Sequence, residues 1–134
     1  MFRIGTDEDN WEFYYDTHIL SNNRKIRIEF NAYYEEFKFN PIYYYNVCLA
    51  IKHKRKTNVF GKQTGKCGLE GLLWAKNKIV EFESFIKDEY PNIKIKIHVH
   101  WSDSKRRKVY ERSLSKMGYV YERVEGQKRL VKTI

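Results

Sequence analysis

The residues best suited to chemistry in this sequence lie between positions 62 and 71, where Gly65, Gly68 and Gly71 accompany Lys62 and Lys66. Glycines let a backbone approach a ligand closely, and the amides at the start of a helix bind phosphate groups. The motif does not end in Gly-Lys-Ser or Gly-Lys-Thr, and its glycines lack the GxGxxG spacing. The segment therefore predicts a turn that binds phosphate or pyrophosphate, or else a helix start that needs small residues for packing.

A buried strand and a long helix must hold this segment. The stretch Ile42–Ile51 is apolar on both faces apart from Asn46, which predicts a central strand of a sheet covered on both sides. The basic run Lys52–Lys56 leaves the core, and Thr57–Gly68 is predicted to be a polar loop. From Leu69 the apolar residues recur at three- and four-residue spacing, which predicts an amphipathic helix over Leu69–Lys87.

The C-terminal third continues with alternating and helical patterns. Polar and apolar residues alternate over Ile93–Trp101, which predicts a strand. A second helix is predicted over Lys105–Met117 with Gly118 after its end, followed by a hairpin of Val120–Val124 and Lys128–Lys132. A strand–helix–strand crossover gives a parallel pair, and the hairpin adds antiparallel pairing. The predicted fold class is therefore α/β (α+β), with a mixed central sheet and a long helix after the central strand.

The N-terminal part is predicted to add a hairpin to this sheet. Lys25–Asn31 alternates polar and apolar residues, as a half-buried strand does. Trp11–Ile19 is aromatic and apolar, and fits either a strand or a short helix. Because the turn-forming residues Ser21, Asn22 and Asn23 lie between the two stretches, a hairpin over Trp11–Phe30 is the simplest interpretation.

Length, charge and cysteine content limit the class of protein. The chain has 134 residues, which predicts one domain over residues 1–134. Lysine and arginine number 26 against 17 acidic residues, and the net charge of +9 indicates an anionic partner or a solvated basic surface. No apolar run approaches the ~20 residues of a membrane helix, and Cys48 and Cys67 are too few for a disulfide framework or a four-cysteine zinc site. We therefore expect a soluble, cytoplasmic protein without a membrane partner.

The order of these elements and two loose motifs resemble the GNAT superfamily of N-acetyltransferases. In that family a central strand runs into a Gln/Arg-x-x-Gly-x-Gly/Ala loop and a long helix. A further strand, a helix ending in a Tyr-x-x-x-Gly-Phe-like segment and closing strands follow. This sequence offers the strand Tyr43–Ile51, the loop Lys62–Gly68, the strand Ile93–Trp101 and the segment Leu114–Tyr119. The resemblance covers residues 42–134 and implies a GNAT-like acyl-CoA N-acyltransferase architecture.

The resemblance implies acetyl-CoA as the acyl donor and an amine, on a small molecule or a protein, as the acceptor attacked directly. The backbone at the far end of the central strand, Leu49, Ala50 and Ile51, would bond to the pantetheine arm. The loop that would hold the pyrophosphate consists of Gln63, Thr64, Gly65, Lys66, Cys67 and Gly68. About 41 residues precede the central strand, fewer than the family's usual strand, two helices and two strands, so the helical part that helps to bind the acceptor is predicted to be reduced or missing.

The resemblance also implies an acid for the departing thiolate and a base or water relay for the amine. Leu114 stands where the family has its tyrosine, and Tyr110 lies one helical turn earlier on the same face, where it could donate the proton or simply pack. Histidine titrates near neutral pH and suits the base, although an alternating Lys-x-Lys-x-His-x-His stretch also fits the polar face of a strand. The candidate bases are His98, His100, Glu29 and Glu35.

A second interpretation is a non-catalytic GNAT-like protein that binds nucleic acid or an acidic protein partner through its basic surface. Lys52–Lys56 and Lys105–Lys108 are dense in positive charge, and basic residues continue through the C-terminal third. Exposed tyrosines or Trp101 could stack on bases. No RNP, zinc-finger or KH pattern is present in the sequence.

Overall fold

Eight strands and two helices form in the part of the chain that the computed structural model describes, which is residues 2–35, 42–53, 56–59, 68–99, 104–124 and 126–134. In chain order these elements are β1 (Arg3–Thr6), β2 (Glu12–Ile19), β3 (Lys25–Glu35), β4 (Ile42–His53), β5 (Lys56–Val59), α1 (Gly68–Glu89), β6 (Lys94–Val99), α2 (Ser104–Lys116), β7 (Val120–Val124) and β8 (Gln127–Thr133).

The strands form one mixed sheet in the order β1-β2-β3-β4-β6-β8-β7, with β5 paired to β4 outside this path. Among the described strands, β4 and β6 are the parallel pair, and the other pairs are antiparallel. A parallel pair needs a crossover connection, and α1 lies in the connection between these two strands. The predicted mixed sheet with two helices is confirmed at this level. Because β5 lies between β4 and α1, the long helix does not follow the central strand directly.

The predicted N-terminal hairpin is confirmed, and its first arm is a strand rather than a helix. β2 and β3 pair from Ile19 and Lys25 to Phe13 and Asn31. In the turn, Asn23 has a φ of 66°, a left-handed conformation that asparagine tolerates better than most residues. The sequence did not predict β1, because its four residues are too short to show a period and one of them is glycine.

The loop predicted over Thr57–Gly68 is wrong in its first part, because β5 occupies Lys56–Val59. β4 extends to His53, whereas its described pairing with β6 ends where Val47 faces Val99. The backbone groups along the rest of that edge need partners. The following residues turn back and pair antiparallel with Ala50–His53, and this tertiary need outweighs the polar composition of the segment.

Both predicted helices are confirmed within a few residues of their expected bounds. α2 ends in a Schellman motif, in which the Tyr119 amide donates to the Leu114 carbonyl at 3.1 Å and the Gly118 amide donates to the Ser115 carbonyl at 3.2 Å. Gly118 has a φ of +96°, which explains why glycine ends this helix. The motif turns the chain directly into β7.

One face of the sheet, here called the covered face, packs against both helices. Tyr14 and Phe30 of β2 and β3 and Tyr45 of β4 surround Phe82 of α1, whose ring lies 3.9 Å from that of Phe30 at an interplanar angle of 12°. Leu114 of α2 belongs to the same cluster. Because side chains alternate along a strand, the residues between these face the other way. That opposite side, here called the outer face, carries Phe13, Tyr15, Arg27, Glu29 and His98.

Candidate functional site

The candidate site lies at the carboxyl end of β4, where the first turn of α1 approaches the turn between β2 and β3. The amide and hydroxyl of Ser21 donate to Glu70 Oε2 at 3.2 and 2.8 Å. Trp74 and Leu49, which lies near the end of β4, both pack against the buried pair Leu20 and Ile26. In open sheets with parallel strands, ligands bind outside the carboxyl ends of those strands. The start of α1 is therefore beside the edge at which such a ligand would enter.

At this end of the sheet, β4 changes its partner. β4 pairs in parallel with β6 from Ile42 to Val47, and with β5 from Ala50 to His53. Because β3 pairs with the other edge of β4 from Ile42 to Lys52, β5 and β6 use the same edge in succession. Within the described registers, residues 48 and 49 lie between the two partners. This junction is the part of the central strand where an extended ligand could meet backbone groups.

The residues predicted to bind a cofactor are only partly described. Ala50 and Ile51 form register pairs with Val59 and Asn58 of β5, whereas Leu49 lies at the junction itself. An arm that bonded to the backbone of Ala50 or Ile51 on this edge would compete with β5. Gly68 begins α1. The residues outside the described part of the chain are Gln63, Thr64, Gly65, Lys66 and Cys67.

His98, one of the predicted catalytic residues, is buried on the outer face, with 2% of its surface exposed. Its Nδ1 lies 3.0 Å from an Nη atom of Arg129. A guanidinium only donates hydrogen bonds, so Nδ1 accepts and the ring hydrogen lies on Nε2. In this arrangement neither ring nitrogen is ready to take a proton, which weighs against His98 as a base.

The other predicted acid and bases are less completely described. His100 lies outside the described residues, and Tyr110 belongs to α2 but the position of its side chain is not described. Leu114, which was predicted to stand where the GNAT family has its tyrosine, is buried in the core. Glu35 ends β3, and its side chain is likewise not described.

Glu29 is described, and it interacts with two neighbours on the outer face. Its Oε1 lies 2.8 Å from Nε of Arg27, and it faces Cys48 across β3 and β4. Burial raises the pKa of the Cys48 thiol, and the charge of Glu29 raises it further. Cys48 is therefore a protonated thiol rather than an activated nucleophile.

A polar cluster that the sequence did not reveal lies beside the start of α1. The His18 ring stacks on Trp74 with ring centroids 5.5 Å apart at 16°, and its Nε2 lies 3.5 Å from Glu70 Oε1. These residues come from β2 and from α1, so no local spacing connects them. The one available signal was that His18 shares a face of β2 with the buried Tyr14, with Asp16 between them.

Among the described residues, His, Cys, Asp and Glu form no group of three or more that could hold a metal ion. No helix in the described part of the chain has the length and apolar character needed to cross a membrane. The chain matches no protein-family model, no curated protein and no solved structure.

Proposed function

We propose that this protein is a GNAT-type N-acyltransferase, which moves an acetyl group from acetyl-CoA to an amine of a small molecule or protein. The observation that carries the proposal is the change of partner along β4. The parallel partner β6 pairs up to Val47, and a different strand occupies the edge from Ala50. In the GNAT family, backbone groups at the far end of the central strand bond to the pantetheine arm, and we propose that this junction has that role. The element order from β4 onward also supports the proposal, apart from the inserted β5.

The arm of the cofactor is proposed to reach the backbone at Cys48 and Leu49, between the two pairings of β4. The predicted pyrophosphate loop, Gln63–Gly68, leads into the first turn of α1. Amides in this turn carry the positive end of the helix dipole, which favours an anion. We propose that Ala50 and Ile51 contribute less to binding the arm than the sequence predicted, because the same edge of β4 pairs with β5 at these residues.

In the proposed reaction the acceptor nitrogen attacks the carbonyl carbon of the thioester, and the carbon–sulfur bond then breaks. The nitrogen loses a proton to a base, and the departing thiolate of CoA takes a proton from an acid. Backbone amides of the central strand would polarise the carbonyl oxygen. Tyr110 is the proposed acid and His100 the proposed base. His98 is the weaker candidate because its Nδ1 accepts from Arg129.

Calorimetric titration with acetyl-CoA tests this function. We expect one molecule to bind per chain, and we expect Gly65→Val to weaken binding at least about tenfold, because a β-branched side chain blocks close approach of the backbone. Lys66→Gln should weaken binding several-fold, whereas the matched charge change Lys128→Gln, at an exposed position of β8, should leave it unchanged. Acyl transfer is then measured as free CoA thiol released with a panel of amines. Absence of acetyl-CoA binding at millimolar concentration contradicts the proposal.

A further inference from the structure

The outer face of the N-terminal strands carries an aromatic surface, formed by Phe13, Tyr15 and Arg27. The two rings follow each other on β2 with centroids 5.7 Å apart. The Arg27 guanidinium carbon, from the neighbouring strand β3, lies 4.2 Å from the centroid of Tyr15 and 5.7 Å from that of Phe13. All three side chains are partly exposed. The surface therefore presents three planar groups to solvent, one of them charged.

This composition is unusual for the solvent side of an antiparallel sheet, which is ordinarily polar. Both described helices pack on the covered face, through Tyr14 and the core around it, so Phe13 and Tyr15 do not contribute to that core. An aromatic pair outside the core needs another explanation. Exposed aromatic groups with a cation beside them are typical of a binding surface.

The planar groups of the aromatic surface are also held in place. The ring of Phe13 lies directly over Gly5 of β1, where a Cβ atom would come within 2.4 Å of the ring. Arg27 forms an ion pair with Glu29, whose Oε1 lies 2.8 Å from its Nε. Groups that are already ordered lose less conformational entropy when a ligand stacks on them. Such a surface suits a flat partner.

The charges around the aromatic surface indicate an anionic partner. Arg3 faces Tyr15 across β1 and β2, Lys25 begins β3, and both are exposed. With Arg27 they outnumber Glu29, which already forms an ion pair with Arg27. The other carboxylates near this surface, Asp7, Glu8 and Asp9, lie in the turn between β1 and β2. Trp11, 41% exposed, precedes β2 and adds a further aromatic ring nearby. These rings and cations are therefore complementary to a partner that has both flat faces and regularly spaced negative charges.

We propose that the aromatic surface binds single-stranded nucleic acid, independently of any acyl transfer. Bases would stack on Tyr15 and on the guanidinium plane of Arg27, and phosphates would contact Arg3 and Lys25. A single strand is required because the faces of paired bases are buried within a duplex. An acidic protein would use the cations but would leave the stacked planar groups without a role.

Fluorescence anisotropy with a labelled single-stranded 12-mer of DNA and one of RNA tests the proposal on the full chain. We expect Tyr15→Leu, which keeps an apolar side chain but removes the ring, to weaken binding about 5- to 100-fold. Arg27→Lys keeps the charge and removes the plane, and should weaken binding several-fold. Lys25→Gln should lower the salt dependence of binding by about one phosphate contact. The matched controls are Tyr121→Leu and Lys128→Gln, which alter another tyrosine–cation pair on β7 and β8.

Three outcomes contradict the proposal. The first is unchanged affinity in both Tyr15→Leu and Arg27→Lys, with circular dichroism showing that the variants are folded. The second is equal binding of the matching duplex, which indicates attraction by charge alone. The third is displacement of the oligonucleotide by polyglutamate at equal charge concentration, which indicates an acidic protein as the partner. If Tyr15→Leu does not fold, Arg27→Lys decides the question, since it removes neither the charge nor an aromatic ring.

Discussion

The two faces of the sheet use similar residues for different purposes, and β2 shows the contrast within one strand. Tyr14 is buried on the covered face, where its ring contacts those of Phe82 and Phe85 from α1. Phe13 and Tyr15, its neighbours in sequence, lie on the outer face beside Arg27. The residue types are nearly the same. What differs is the presence of a helix, so the role of an aromatic side chain in this protein follows from what covers it.

The polar groups of the two faces differ in the same way. On the covered face, Glu83 accepts from the Tyr119 hydroxyl at 3.0 Å and from the Lys132 ammonium at 3.1 Å. These bonds connect α1 to β8 and to the residue that precedes β7. On the outer face, Glu29 holds Arg27 against an aromatic ring that solvent can still reach. We infer that the first arrangement stabilises the fold, whereas the second prepares a surface.

The largest expected effect is at the centre of the covered face. Phe82 is fully buried, and its ring contacts those of Phe2, Phe30, Tyr14 and Tyr45. Phe82→Ala should lower the free energy of unfolding by about 3–5 kcal/mol, because it leaves a cavity in a closely packed cluster. Urea denaturation measures this change. The control Val80→Ala, on the exposed side of the same helix, should change it by less than about 0.5 kcal/mol; similar losses in the two variants would contradict the assignment of faces.

An ion pair at the margin of the covered face should have the next largest effect. Burial raises the pKa of the Asp16 carboxyl, but hydrogen bonds from Lys78 and from the Thr17 amide outweigh it and hold the pKa below 3.8. Asp16→Asn should therefore cost about 1.5–2 kcal/mol at pH 7. A depressed pKa stabilises the fold above the unfolded pKa. The difference between the variant and the wild type should therefore shrink as the pH falls below 3.8.

Urea unfolding at pH 7, 5 and 3 measures that difference. Glu81→Gln is the matched control, since Glu81 also pairs with Lys78 but is more exposed, and its removal should cost less than about 0.5 kcal/mol. A cost for Asp16→Asn that stays constant down to pH 3 would show that the pair does not act through charge.

Removing the hydroxyl of Tyr119 should have a smaller effect. Tyr119→Phe should cost about 1 kcal/mol at neutral pH, since it removes one hydrogen bond while Lys132 still pairs with Glu83. Burial and the charge of Glu83 raise the pKa of Tyr119 above its ordinary value of 10.0. A raised pKa stabilises the fold below the unfolded pKa, and this stabilisation is lost at higher pH. Denaturation at pH 8 and pH 11 should therefore show the wild type losing its advantage over the variant.

The smallest expected effect is on the outer face. Gly5→Ala introduces a methyl group within 2.4 Å of the Phe13 ring. In a closed core such an overlap typically costs about 1–3 kcal/mol. On the outer face the ring can swing toward solvent, so we expect a cost below about 1 kcal/mol and weaker binding of single strands. In the Phe13→Leu background the same substitution should cost still less, which a double-mutant cycle measures. If Gly5→Ala instead lowers the free energy of unfolding by about 1–3 kcal/mol, as an overlap in a core does, the outer face is packed as tightly as the covered face.

The sequence predicted most of the helices and strands, because apolar residues recur in each of them at the spacing typical of a helix or of a strand. α1 and β3 show clear helical and alternating patterns, and the positive φ of Gly118 and Gly126 explains the glycines at a helix end and a hairpin turn. β5 could not be predicted, because it forms to satisfy the unused edge of β4. The cluster of His18, Glu70 and Trp74 was missed for a similar reason, since its members meet only when α1 lies across the sheet.

The sequence by itself determined the mixed α and β composition, the type and order of the main elements and the positive charge, because periodicity, turn chemistry and residue counts are local properties. Tertiary structure decided which face of β2 became core, where β4 exchanged β6 for β5, and that His98 accepts from Arg129. These outcomes depend on contacts between residues far apart in the chain. Burial and hydrogen-bond satisfaction can select such contacts only after the strands and helices have come together.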